Sequence, residues 1–152
     1  MFAVPELPAV TVEGVGETTV ESWNRRWGRL RLLDGDRRTL VRVERCAAGR
    51  LRDAYPAGAH DVEVVVESAG RGDPAPALLR TLVDAVRAAD PRCRRIVYAA
   101  EEGDRTATEY AEAAGFRYVV DIDLKDRRLS LMVHEPGWVT GTDMDLDHVP
   151  GT

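Results

Sequence analysis

Residues 107–116 read ATEYAEAAGF, and this short alanine-rich helix with a built-in stop constrains the chain more than any other stretch. Ala107, Tyr110, Ala111 and Ala114 recur at helical spacing and form one apolar face. Gly115 stands where a helix ends on a left-handed residue, and Phe116 is placed to fold back on that face. Downstream, Tyr118, Val120, Ile122 and Leu124 alternate with Val119, Asp121 and Asp123. Lys125-Asp126-Arg127 supplies a turn, and Leu129, Leu131 and Val133 then alternate with Ser130, Met132 and His134. A helix followed by an antiparallel hairpin is predicted.

Upstream, Asp61 to Ser68 (DVEVVVES) is a β-branched run with strand character. From Ala75 to Ala89, the residues Leu78, Leu79, Leu82, Val83 and Val86 fall on one helical stripe, and Arg94 to Ala100 supplies another strand. The order strand, helix, strand, helix, hairpin predicts an α/β (α+β) domain. Its mixed, mostly antiparallel sheet has a central parallel pair, 61–68 beside 94–100, and is flanked by the helices.

This closing half resembles that of the GNAT superfamily of N-acyltransferases, whose fourth helix commonly reads N-x-x-A-x-x-L-Y-x-x-x-G-F before two final strands. Asp104 stands at the Asn position, and Ala107, Gly115 and Phe116 match; Tyr110 occupies the Leu position and Ala111 the Tyr position, so the family's frequent tyrosine acid is absent from its place. The resemblance implies acyl transfer from acetyl-coenzyme A to the amine of a small molecule or peptide, with no resident metal. In the family, a turn reading R/Q-x-x-G-x-G/A holds the coenzyme's pyrophosphate through unpaired amides at a helix N-terminus. Registered on Leu78-Leu79, that turn puts Gly70 at R/Q, Asp73 at the first glycine and Ala75 at the last position. Pro74 and Pro76 have no N–H to give, and Asp73, expected as the helix N-cap, sets a carboxylate beside the phosphates. The amides of Arg71, Gly72, Ala75 and Ala77 and the side chains of Arg71 and Arg80 remain as the expected coenzyme contacts. On the presumed fourth strand, Glu63 and Glu67 share a face as candidate bases, and the backbone around Val65 and Val66 is expected to polarise the thioester carbonyl. Two readings stand: an N-acyltransferase, or a catalytically inactive GNAT-fold module for binding or dimerisation.

A chain of 152 residues, 44% hydrophobic, suits one domain, expected over 1–134 with an acidic tail at 135–152. The charge is −5 with arginines and acids interleaved, which argues against nucleic acid; with neither a spanning run nor a leader-like start, the chain reads as cytoplasmic. Arginine dominance over a single lysine, Lys125, reads as a high-GC bacterial genome. Cys46 and Cys93 are expected as buried or semi-buried free thiols, with mild activation of Cys93 by its flanking arginines as the lesser alternative. Val10 and Val12 suggest a first strand. Val20, Trp23, Trp27 and Leu30 suggest a short helix with both tryptophans in the core, and Leu30 to Val43 a hairpin turning at Asp34-Gly35-Asp36. In the tail, Asp143, Asp145, Asp147 and His148 lack the glycine and glutamate of a calcium loop, and Trp138 is expected to pin the tail's start.

Overall fold

The computed structural model describes residues 4–12, 16–53, 56–69 and 77–136. Seven strands form one sheet: β1 Glu17–Trp23, β2 Trp27–Asp34, β3 Arg37–Arg45, β4 Val62–Ala69, β5 Ile96–Glu101, β6 Arg117–Leu124 and β7 Arg127–His134. The helices are α1 Leu78–Ala89 and α2 Arg105–Ala113. The strand order is β1-β2-β3-β4-β5-β7-β6, with β4 and β5 parallel and every other neighbouring pair antiparallel. The expected parallel pair and both helices are therefore present. Asp73, with Arg71, Gly72, Pro74, Ala75 and Pro76, lies outside the described residues, as do Trp138 and the acidic positions after it. At the start of the expected tail, Glu135 pairs with Arg117 and Pro136 is buried.

Local chemistry sets the ends of α2. The Asp104 carboxylate accepts from Ala107 N–H at 3.0 Å, an N-cap in the position where the family has asparagine. At the other end Gly115 adopts φ +96, its N–H bonds Glu112 O, and Phe116 N–H reaches back to Ala111 O at 3.0 Å. This double closure is the Schellman arrangement. Phe116 is buried with Tyr98, Tyr110, Ala111 and Ala114 in the main core, between the sheet and both helices. The described α1 starts at Leu78, with Ala77 before it and no side-chain cap from Ala77.

The N-terminal third departs from expectation. The helical spacing of Val20, Trp23, Trp27 and Leu30 is coincidental: these residues lie on β1 and β2, joined by a tight turn in which Asn24 Oδ1 accepts from the N–H groups of Arg26 (2.8 Å) and Trp27 (3.0 Å). Cross-strand pairing, not 3.6-residue periodicity, decides the segment. Trp23 packs across Gly28, where an added Cβ would come within 2.0 Å of the indole. Val10 and Val12 are buried as core, but their segment is irregular, held by Leu7 N–H to Arg25 O (2.8 Å) and Trp23 Nε1 to Leu7 O (3.2 Å). Asp34-Gly35-Asp36 does close β2 onto β3.

Both helices pack on one face of the sheet. The opposite face has two characters. Over β5 and β7, Val97, Leu129, Leu131 and Val133 pack with Cys46, Leu51 and Ala57 of the β3–β4 connection. Over β2, β3 and β4 it is charged. Because β7 runs between β5 and β6, it is buried on both faces: the expected alternation holds, with Met132 in the main core and Leu129, Leu131 and Val133 in the second. On edge strand β6, Tyr118, Val119 and Val120 are exposed and the register slips at Val119. No helix of the described residues is long and apolar enough to cross a membrane.

Candidate active site

Strand alternation divides β4 cleanly. Val62 and Val64 point into the main core with Val66 packed against it, so Glu63, Val65 and Glu67 face the open, charged side. Register then brings Glu44 opposite Glu63, Arg42 opposite Val65 and Leu40 opposite Glu67, while Arg29 on β2 faces Arg42. These residues, with Arg50 from the β3–β4 connection, line a cleft of about 360 Å³.

The two candidate carboxylates are in different situations. Glu63 is 2% exposed, and both its oxygens accept from Arg50, from Nε at 3.3 Å and from Nη2 at 2.6 Å. That hydrogen bond holds the Arg50 guanidinium above its ordinary range against the opposing effect of burial, with further help from the charges of Glu63 and Glu44. A carboxylate locked this way orders the site and is poorly placed to exchange a proton with a substrate. Glu44 accepts from Arg42 at 2.9 Å, and Gly49 lets the connection pass close by, because a Cβ there would fall 2.2 Å from Glu44 Oε1. Glu67, exposed at the cleft mouth, has no ion pair among the described residues.

Beside this cleft the parallel pair opens. Only Val62↔Ile96 and Glu63↔Val97 are paired, after which β4 and β5 diverge. Val62 N–H donates to Arg95 O at 3.1 Å, and alternation turns the N–H of Val66 to the same edge, into the opening. Val65 N–H points instead towards β3, and the Val65 side chain floors the cleft. Of Val65 and Val66, it is the Val66 amide that faces the opening. The residues expected to hold pyrophosphate are described only at Ala77 and Arg80. Ala77 O caps the first turn of α1 by accepting from Thr81 N–H, and Arg80 Nη2 donates to Ala113 O at 2.9 Å, against the C-terminal end of α2.

Tyr110 is a core residue, as its place one helical step from the family's acid position implies. Burial and the neighbouring Tyr98 push its hydroxyl up to about 12, and the hydroxyl hydrogen-bonds the backbone of Leu79 in the first turn of α1. Ala111, at the family's tyrosine position, is 0% exposed. Cys93 is no activated thiol: burial pushes it up to about 12, the Arg87 charge only partly opposing, and Sγ donates to Arg95 O at 3.4 Å. Reading along the sequence found Glu63 and Glu67 but missed Arg29, Arg42, Glu44 and Arg50. The alternation of Leu40, Arg42 and Glu44 in a strand that must lie beside Val62–Ala69 was the signal available for two of them.

No family model matches the chain. It is 34% identical over 79 residues to the lysine N-acyltransferase MbtK of Mycolicibacterium paratuberculosis, which covers 52% of this chain and 35% of that protein. To the protein of the same name from a Mycobacterium species (strain MCS) it is 32% identical over 96 residues, covering 60% and 39%. The matched region spans little more than a third of the length of these curated relatives. Among solved structures, the aminoglycoside acetyltransferase AAC(6')-Ib in complex with ribostamycin and coenzyme A is similar with a TM-score of 0.62 at 16% identity, covering 72% of this chain and 64% of that one. The GNAT domain of S. lividans PAT is similar with a TM-score of 0.53 at 19% identity, covering 73% and 61%. The chain shares with these solved structures the GNAT fold, a mixed sheet with a splayed parallel pair.

Proposed function

We propose that this domain transfers an acyl group from a coenzyme A thioester, acetyl-coenzyme A in the simplest case, to the amine of a small molecule. The observation that carries the reading is the opening between β4 and β5, with the charged cleft and the free Glu67 carboxylate on the same strand. Coenzyme A and the amine acceptor in the AAC(6')-Ib complex, and the lysine N-acyltransferase activity named for the MbtK relatives, support it.

The chemistry joins the amine nitrogen to the thioester carbonyl carbon and breaks the carbon–sulfur bond. Glu67 holds the acceptor's ammonium, and it or a water bound to it takes the proton that the amine must lose before attack. Val66 N–H donates to the carbonyl oxygen as negative charge develops there. The leaving thiolate takes its proton from solvent, because Tyr110 is buried with a hydroxyl pushed to about 12 and Ala111 has no acid to offer. We assign the pyrophosphate to the turn at Arg71, Gly72 and Ala75, to the amide of Ala77 and to Arg80. One feature favours a second reading, a binding module without turnover: the Tyr110 hydroxyl already engages the first turn of α1, where a phosphate would seek free amides.

Calorimetric titration with acetyl-coenzyme A, followed by a thiol-release assay over a panel of amines, separates the two. Binding with turnover is expected, and Glu67→Gln should lower kcat about 100-fold or more while the coenzyme's affinity stays put. No heat at near-millimolar coenzyme, or binding with no thiol release from any amine, would refute the first reading and leave the second.

A further inference from the structure

The charged cleft carries information about its acceptor beyond an amine. Arg29 and Arg42 face each other directly across β2 and β3, a pairing that like charges disfavour. Both guanidinium groups lie over the same indole, with Cζ 5.7 Å and 5.3 Å from the Trp27 ring centroid. Contact with one aromatic offsets part of the repulsion between the two cations. Glu44 answers one of them through Arg42 Nη2, and Glu63 is used by Arg50. Arg29 has no carboxylate partner among the described residues, so this end of the cleft holds an unanswered positive charge. The opposite imbalance lies at Glu67. On the register, Glu67 is one strand and two residues from Arg42, a Cα separation of ~8 Å, and two strands and two residues from Arg29, ~12 Å.

From this juxtaposition we infer that the acceptor is a zwitterion of the ω-amino acid class, with its amine at Glu67 and its carboxylate on the paired guanidinium groups of Arg29 and Arg42. A bidentate carboxylate contact matches the planar donors that stacking presents, and it relieves the repulsion between them. Glu67 lies two residues to one side of the Arg29–Arg42 row and both arginines lean to the other, over Trp27, so the two seats are drawn apart along the strands and suit an acceptor whose amine is several bonds from its carboxylate. The assignment rests on the acyltransferase reading and deepens it by fixing the acceptor's second charge.

Lysine and cadaverine are the test pair, since cadaverine keeps the amines and chain length and lacks the carboxylate. With wild type and saturating acetyl-coenzyme A, KM for lysine should be at least about tenfold below that for cadaverine, and this preference should collapse towards one in Arg29→Ala. Arg29→Gln, which keeps length and polarity, should lose most of it as well; matched melting temperatures establish that both variants are folded. A wild type without preference for lysine, or variants that keep it, would overturn the inference. Lysine titrated directly against wild type and Arg29→Ala reads the same contact without turnover. Arg29-dependent binding in a protein that releases no thiol would retain the carboxylate seat and refute only the catalytic reading.

Discussion

Replacing Asp90 with alanine should destabilise the domain more than any surface change, because it strands a charge in the interior. Arg45, at the end of β3, is 1% exposed. Its guanidinium donates to Pro5 O (3.1 Å), Glu6 O (3.0 Å) and His60 O (2.9 Å), and pairs with Asp90 Oδ2 at 2.7 Å. Asp90 follows α1 and also accepts from Arg92 N–H at 3.1 Å, so the pair clasps the N-terminal segment, β3 and the end of α1 together. Removing the carboxylate leaves a buried cation among neutral carbonyls, which costs about 3–5 kcal/mol out of a typical total of about 5–15. For a chain of this size that corresponds to a melting-temperature drop of roughly 6–20 °C, readable by circular dichroism and by urea unfolding. A loss under about 1 kcal/mol would refute the reasoning. Arg45→Met combined with Asp90→Ala should recover part of the loss, since no charge is then left unpaired. The pair also predicts acid sensitivity. Desolvation raises the Asp90 carboxyl, but the Arg45 and His60 hydrogen bonds outweigh it and hold the group below its ordinary 3.8. A depressed carboxyl contributes stability that is complete above the ordinary value and is lost as pH falls through the folded one. Below about pH 4 wild type should therefore lose the advantage it holds over Asp90→Ala.

Gly115→Ala forces a left-handed residue to carry a Cβ at φ +96, 3.3 Å from His134 Cδ2, and should cost about 1–2 kcal/mol in a thermal melt; an unchanged melting temperature would show that the α2 stop adjusts freely. With its thiol pushed to about 12, Cys93 should resist iodoacetamide at pH 8 in the folded protein and react once urea is added, and alkylation of the native state at the rate of a free thiol would contradict its burial.

What was legible in the sequence follows how far each signal reaches along the chain. The α2 stop depends on Asp104, Ala111, Gly115 and Phe116, all within a few turns of one another, and its geometry was readable in detail. The hairpin β6–β7 was readable for the same reason, except that β7's two-sided burial depends on β5 lying beside it. In the first third, the i, i+3 and i+4 spacing of Val20, Trp23, Trp27 and Leu30 fits two strands around a short turn as well as it fits a helix. Only pairing with β3 distinguishes them, and that pairing is tertiary. The cleft obeyed the same limit. Glu63 and Glu67 could be placed on one face from β4 alone, whereas Arg50, Arg42 and Arg29 reach that face from other parts of the chain through sheet register.

The open character of that face has a chemical consequence. β1 and β2 are joined directly by the tight turn at Asn24, so no helix between them covers this face. The β3–β4 connection instead covers the apolar half of the face through Cys46, Leu51 and Ala57, and it reaches the charged half only at Arg50. Burial therefore grades across the cleft, from Glu63 at 2% exposed, locked by its arginine, to Glu67 in solvent. On the proposed acyltransferase reading, Glu67 as base would pass its proton straight to bulk water without a relay. The same exposure weakens every charge contact an acceptor makes there, since solvent and salt screen it. Specificity in such a site then has to come from groups already held in position. Among the described residues, the two arginines over Trp27 come nearest to that requirement, because an aromatic contact and the strand register both restrict them.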